Sequence, residues 1–379
     1  MDPQAKGLMI FYQNLFNAMK KIFYVMHVNW GWIKQRPHFF AEGLSRKYNI
    51  NLFHPIIYKK KLKSGHVLPG FNSNVFFKLP DRFISKYGIF YILNCFIVNF
   101  QISFRMLWER PDILWLTHPV FSGVLRFKPS NTKIIYDCMD DHQLFWKKEN
   151  KKMISDERNL IAQSDILFFS SETLMRRKIL PSEINKSFVV NNGCAKYFVD
   201  SLSSDNELSE VESGKFVIGY FGAIAEWFDW DAIHEILRKF DNVYFKLAGP
   251  CEKEMPTNSR IEYCGVLRHE QLKKFSDDCD ALIMPFKVNS LIEAVDPVKL
   301  YEYVSFLKPI LAPRYKETER FSRFVNLYDD LNGLLEEVDE LLNKNNRKYE
   351  KSDALKFIVD NTWDVRTDFI ISRINYEIK

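Results

Sequence analysis

The chain has 379 residues, 46% hydrophobic and 27% charged, which is enough apolar material for two cores and too much for a disordered polymer. Its net charge of +5 conceals a split. Residues 1–195 hold 28 Lys and Arg against 14 Asp and Glu, a balance of +14, which leaves 25 against 34 in the remainder, a balance of −9. A basic first half suits an anionic partner such as lipid headgroups or a lipid diphosphate, and no helix-turn-helix, zinc-finger or RNA-binding signature supports nucleic acid. Six cysteines without C-x-x-C spacing argue against a zinc centre or a disulfide framework and suit a reducing compartment. With no secretory signal read, the expected location is the cytoplasm, with peripheral contact at the inner face of the plasma membrane left open.

In chain order, residues 1–18 read as an extension or an interfacial segment. Met19 to Met26 predicts a first buried strand, and Gln35-Arg36-Pro37-His38 opens a helix. Between them lies a loop with Gly31 and Trp32. Arg36 either binds phosphate or orients that loop, and His38 caps or packs. Asn49 to Pro55 predicts a second strand, and the basic run Lys59 to Lys63 an exposed loop. Phe83 to Trp108 is rich in apolar residues but interrupted by Lys86 and Arg105; its uncharged part, Gly88 to Phe104, contains Asn94, Asn99 and Gln101 and falls slightly short of the run of about 20 predominantly apolar residues that a span needs. It predicts a buried or membrane-grazing helix, not a span. Strands follow at Asp112–His118 and Lys133–Asp137, the second leading to Asp140, Asp141 and His142. A helix over 153–164, a strand over 166–169 and a strand over 187–190 complete a first domain, 19–199.

The polar stretch 200–214 reads as a linker to a second domain, 215–360, and 361–379 as a closing helix. Phe216 to Gly222 predicts its first strand, ending in a glycine turn where backbone can approach a phosphate. Strands at 243–247 and 261–266 alternate with helices at 230–240 and 269–276, as βαβ units with parallel sheets require. Asp229-Trp230-Asp231 has the form of a metal-binding D-x-D, but its place at a helix start favours capping. No metal and no cofactor are expected. After Tyr315 the chain reads as mainly helical.

The most informative stretch runs from Asp280 to Pro313. Ala281 to Met284 predicts a buried strand and Ile310 to Ala312 another. Between them Asp296-Pro297 predicts a helix start, with Asp296 capping and Val298-Lys299 in the first turn. Lys299 would place a positive charge where a diphosphate could sit, and Glu302, one turn on, could accept from sugar hydroxyls.

DPVKLYEYVSFLKPIL resembles the donor-site signature of GT-B glycosyltransferases, in the large retaining family four that includes bacterial surface-polysaccharide enzymes. The pattern Glu157, Ser164-Asp165, Ser170-Ser171 and Val190 to Gly193 is also similar to such enzymes. The resemblance implies an α/β GT-B fold: two Rossmann-like domains with parallel sheets facing a central cleft, and a C-terminal helix returning to the first. It implies transfer of a sugar from a nucleoside-diphosphate sugar, UDP or GDP type, to a lipid-linked or oligosaccharide acceptor in surface-polysaccharide synthesis, retaining and metal-independent. In it Lys299 contacts the donor phosphate and Glu302 the ribose, with Gly31, Gly222, Glu293, Asp296 and Val298 on the donor side. A further Glu of the family falls at Ala294, one step from Glu293. Trp32, Arg36, His118 and Asp141 lie on the acceptor side, and His118, Asp140 and Lys299 are the catalytic candidates. Two alternatives remain: a nucleotide-sugar epimerase of the same layout, and a catalytically silent relative acting as a binding partner in a membrane synthase complex.

Overall fold

The structure is a computed structural model. It describes residues 19–31, 33–56, 71–84, 88–146, 149–203, 214–252, 254–344 and 347–378. Trp32, the basic run at 59–63 and the segment 1–18 lie outside the described residues.

The chain divides into two compact units. The first runs to Asn191 and takes in Arg366 onward, and the second spans Asn192–Val365. The change of unit therefore falls ahead of the expected linker. Asn192 is already bound into the second unit through Asp296, its side-chain amide donating to the Asp296 carbonyl at 2.9 Å.

The first unit is built on β1 (Lys21–Val25), β2 (Asn49–Pro55), β3 (Phe71–Phe76), β4 (Ile113–Leu116), β5 (Lys133–Cys138), β6 (Ile166–Phe169) and β7 (Ser187–Val189). They form one sheet in the order β3-β2-β1-β4-β5-β6-β7. Every described pairing is parallel, with Ile22 opposite Ile50 on one side and Ile113 on the other. The central runs KIFYV, ILWL and ILFF are apolar and almost wholly buried, as a parallel sheet covered on both faces demands. Its helices are α1 (Arg36–Leu44), α2 (Gly88–Glu109), α3 (Lys151–Gln163) and α4 (Glu172–Lys178). A core stack runs Tyr24, Trp115, Phe168, with centroid spacings of 5.3 and 5.6 Å.

The second unit opens with α5 (Lys196–Ser203) and carries β8 (Phe216–Phe221), β9 (Val243–Ala248), β10 (Ile261–Tyr263), β11 (Ala281–Ile283), β12 (Ile310–Pro313) and β13 (Asn326–Tyr328). The order is β10-β9-β8-β11-β12-β13, again parallel. Helices α6 (Trp230–Lys239), α7 (His269–Asp277), α8 (Val298–Val304), α9 (Leu331–Lys344) and α10 (Lys351–Asp360) cover it. Two strands escaped the sequence reading, β3 and β13. The second is a three-residue strand in a region after Tyr315 that is otherwise mainly helical, as expected.

The last helix, α11 (Trp363–Glu377), starts in the second unit and belongs to the first from Arg366. There Tyr48 Oη donates to Asn375 at 3.3 Å and Lys20 Nζ to the Ile378 carbonyl at 2.9 Å. A Cβ on Gly43 would lie 2.5 Å from Thr367 Oγ1, so this helix requires a glycine on α1.

Each sheet changes direction of growth at one place, between β1 and β4 and between β8 and β11. In open parallel sheets the carboxyl ends at such a switch are where ligands bind.

Candidate active site

At the switch of the second unit, β8 ends at Phe221 and the chain turns at Gly222, whose φ of +155° suits glycine. A Cβ there would lie 2.7 Å from Tyr220 Oη and 3.2 Å from Lys299 Cε. The Lys299 stem therefore passes directly beside this turn. Its ammonium lies 4.9 Å from the centre of the Phe221 ring and donates to Glu302 Oε2 at 2.8 Å. Lys299 is half-buried and Glu302 is buried. The spacing i, i+3 on α8 puts both on one face. Gly222, Lys299 and Glu302 thus come together as the sequence suggested.

Gly249, at the end of β9, completes the turn. Its φ is +128°, and a Cβ on it would overlap the Gly222 carbonyl oxygen at 1.9 Å. Sequence reasoning passed over Gly249, because its constraint comes from a backbone 27 positions away. The sequence reading also missed a small cavity of about 130 Å³ at the same carboxyl edge. It is lined by Ile224, Glu226, Phe228, Trp230, Cys251 and Lys287, from the loops after β8, β9 and β11.

Asp296 does not cap α8. The helix begins at Val298 with Pro297 as its N-cap, and no side chain caps it. The Asp296 carboxylate instead accepts from the Asn192 backbone and pairs with Arg320, and lies within 3.4 Å of Tyr301 Oη. It is a strut inside the unit, because its loop conformation turns the side chain inward. Glu293 sits exposed on the three-residue turn Ile292–Ala294, while Ala294 is buried. Asp229 accepts from Ala232 N–H at 3.2 Å and caps α6, and it pairs with Lys287 together with Asp231. Among the described residues no cluster of His, Cys, Asp or Glu is placed to hold a metal ion.

At the switch of the first unit three histidines meet: His27 after β1, His118 after β4 and His142 after β5. Their ring centroids are 5.1, 5.3 and 4.3 Å apart. Their hydrogen bonds define the tautomers. His118 Nδ1 accepts from Val120 N–H at 3.0 Å, so its proton is on Nε2. Thr117 donates to the Val25 carbonyl, so His27 Nδ1 donates to Thr117 Oγ1 at 2.9 Å and its Nε2 is an acceptor. His142 donates to the Thr117 carbonyl, and its buried Nε2 has no partner. Burial holds all three well below the ordinary histidine value, His142 down to about 3. The cluster holds one ring N–H, on His118, and two unprotonated ring nitrogens, on His27 and His142, the last of them buried; a hydroxyl group could accept from His118 and donate to His27. Of the three, the sequence had singled out only His118.

Beside it, Asp140 is half-buried, and burial pushes its carboxyl up to about 6. Asp141 is bound by Lys178 Nζ at 2.7 Å, which also holds Glu157 at 2.8 Å. This corrects an acceptor-binding Asp141 to a structural one. Arg36 resolves the same way. It is buried and gives Nε and Nη2 to Asp137 and Nη1 to the Val190 carbonyl at 2.6 Å, tying α1 to the ends of β5 and β7. It orients the loop rather than meeting a phosphate. His38 caps α1, accepting from Gln35 N–H and bonded to the Asn29 carbonyl. Gly31 N–H is taken by Asn29 Oδ1 at 2.6 Å.

No protein-family model matches the chain. It is 24% identical over 229 residues to a Bacillus subtilis (strain 168) protein described as "Putative teichuronic acid biosynthesis glycosyltransferase TuaH". The match covers 55% of this chain and 57% of that one, so the likeness spans little more than half of the relative. Among solved structures, a sucrose-phosphate synthase from Thermosynechococcus elongatus superposes with a TM-score of 0.72 at 10% identity, over 94% of this chain and 98% of that one. An E. coli trehalose-6-phosphate protein bound with UDP-2-fluoro glucose gives 0.70 at 10% identity, over 94% and 99%. Identities this low speak to architecture, and the architecture is GT-B: two Rossmann-like units, each on its own parallel sheet.

Proposed function

We propose that the chain is a glycosyltransferase that moves a sugar from a nucleoside-diphosphate sugar to a lipid-linked or oligosaccharide acceptor in surface-polysaccharide synthesis. The observation that carries it is the Lys299 ammonium, held beside the Gly222 turn and paired with buried Glu302 at the sheet's switch point. A lone lysine paired to a glutamate is common. This one adjoins a turn with a positive φ where backbone can approach a ligand. The GT-B fold and the teichuronic-acid relative support the reading, as does a structural neighbour described with a UDP-sugar analogue.

In this reading the second unit holds the donor. Lys299 meets the diphosphate and neutralises charge as the bond from the sugar's anomeric carbon to the phosphate oxygen breaks. Glu302 accepts from the ribose. Helix α8 has seven residues, so the lysine's full charge and not its dipole dominates. The acceptor hydroxyl forms the new bond to the anomeric carbon, and its proton passes to the departing phosphate. The histidine cluster of the first unit orients a sugar hydroxyl. The anomeric configuration is retained, no metal or cofactor takes part, and the protein works in the cytoplasm.

Thermal shift with UDP, GDP and their sugar conjugates is the test, followed by product analysis with a lipid-linked acceptor. A rise in Tm with one nucleotide class, and sugar transfer that persists in EDTA, is expected. No shift with any nucleotide would overturn the reading. Epimerised donor in the absence of acceptor would identify an epimerase, and binding without turnover a silent relative.

A further inference from the structure

Helix α2 is built inside out. Its polar residues face the protein: Asn94 Oδ1 accepts from Leu79 N–H at 2.9 Å, Asn99 Nδ2 donates to the Val120 carbonyl at 2.8 Å, and Gln101 Nε2 to the Phe77 carbonyl at 3.0 Å. Tyr91, Val98, Ile102 and Met106 pack inward beside them, but a second set of apolar residues faces out. Phe96, Phe100, Phe104 and Trp108 follow one another at four-residue steps and are 69, 63, 58 and 79% exposed. Ile89 and Leu107 extend the same surface at 67 and 54%. No charge interrupts the helix from Gly88 to Phe104. A helix of 22 residues is about 33 Å long, so the apolar face is large. A water-facing helix would show the reverse pattern, with Asn and Gln outward.

The rim of this face is basic. Arg105, Arg110 and Arg126 are exposed around it. Of the nearby acids, Glu109 accepts from Asn51 and pairs with Arg105 at 3.6 Å, and Asp112 accepts from the Lys21 backbone at 2.7 Å, which leaves Arg110 and Arg126 as the rim's uncompensated charge among these groups. A second copy docking face to face would bring this arginine rim against its own like, within a first half already carrying 28 basic against 14 acidic residues. An anionic surface meets them with the opposite sign.

We infer that the exposed face of α2 is a membrane-docking surface, which lies in the interface of a bilayer rich in anionic headgroups. The phenyl rings enter the acyl boundary, Trp108 lies at headgroup level, and the arginine rim meets lipid phosphates. The helix lies along the interface and does not span, because its Asn and Gln side are bonded to the protein. This inference is independent of the transferase reading, since it concerns binding alone.

The test is co-sedimentation of the full chain with vesicles of phosphatidylcholine, and of phosphatidylcholine with about a third phosphatidylglycerol. The expected result is binding to the anionic vesicles, weakened by raised salt, and at least tenfold weaker in Phe96→Gln/Phe100→Gln/Phe104→Gln. These side chains are exposed, so the variant should keep the wild-type circular dichroism spectrum and Tm. If it does not, the charge reversal Arg110→Glu/Arg126→Glu serves, with the same expected loss. Failure of the wild type to bind, binding unchanged in the variants, or equal binding to neutral vesicles would each overturn the inference. So would a wild-type dimer in solution that the phenylalanine variant dissolves, since a second copy would then be the occupant.

Discussion

Lys299 can be tested apart from the fold. Its side chain is half-exposed, so Lys299→Ala should leave Tm nearly unchanged while lowering transfer about 10²- to 10³-fold, the usual loss when one charge-stabilising group is removed. Near-normal turnover in a well-folded variant would end its assigned role. The glycines beside it behave differently. Gly222→Ala forces a side chain into a positive φ and against Tyr220 Oη, and should cost about 1–3 kcal/mol in urea unfolding. Gly249→Ala collides with backbone and should cost more than Gly222→Ala; a stable Gly249→Ala protein would contradict the geometry. Lys299 and Glu302 were legible in the sequence because their relation is local, three positions apart on one helix. Gly249, His27 and His142 were not, since each acquires its meaning from a partner on another strand. Asp296 was misread for the same reason: a local capping rule competed with a long-range partner, Asn192, and lost.

Secondary-structure elements show the same division between local and long-range information. The central strands are continuous apolar runs and announce themselves. The two missed strands are edges: β3 reads FNSNVF, half polar and largely exposed, and β13 is three residues long. β3 meets water, so its composition approaches that of a loop, whereas β13 is buried and escapes by its shortness alone. Helix α2 was legible as apolar, but which side faced the protein was not, because that depends on where Leu79, Val120 and Phe77 place their backbone groups. Arg36 supplies the prediction at this scale. It joins α1 to the ends of β5 and β7 through a buried pair with Asp137. Removing one partner strands the other charge, so Arg36→Ala should destabilise by about 3–5 kcal/mol. Arg36→Lys should not restore it, since one ammonium cannot bond Asp137 with two nitrogens and also reach Val190. Urea midpoints of the three proteins decide it, and a wild-type midpoint for Arg36→Ala would refute the strut.

For the molecule as a whole, the buried histidines set the response to acid. His142 is held down to about 3 and His38 to about 4, both chiefly by burial, while His27 and His118 are also held well below 6.5. In the unfolded chain each would take up a proton near pH 6.5. Below that pH the unfolded state binds protons that the folded state refuses, so stability falls as pH drops, by about 1.4 kcal/mol per pH unit for each histidine. Above pH 6.5 both states are neutral and the effect vanishes. His38 and His142 together amount to about 4 kcal/mol by pH 5. Asp140 opposes them: its carboxyl, pushed up to about 6 by burial, regains its proton in the folded state first and returns about 1 kcal/mol. The balance is a loss of about 3 kcal/mol between pH 7 and pH 5, to which His27 and His118 add. Urea unfolding at the two pH values measures it directly. His142→Gln removes one titrating group, so the pH dependence should flatten by about 1.4 kcal/mol per unit below pH 6.5 whatever the variant does to stability at pH 7. A wild-type protein equally stable at pH 5 and 7 would mean that these rings accept protons in the folded state, and that the neutral arrangement of one ring donor and two unprotonated ring nitrogens does not persist in solution.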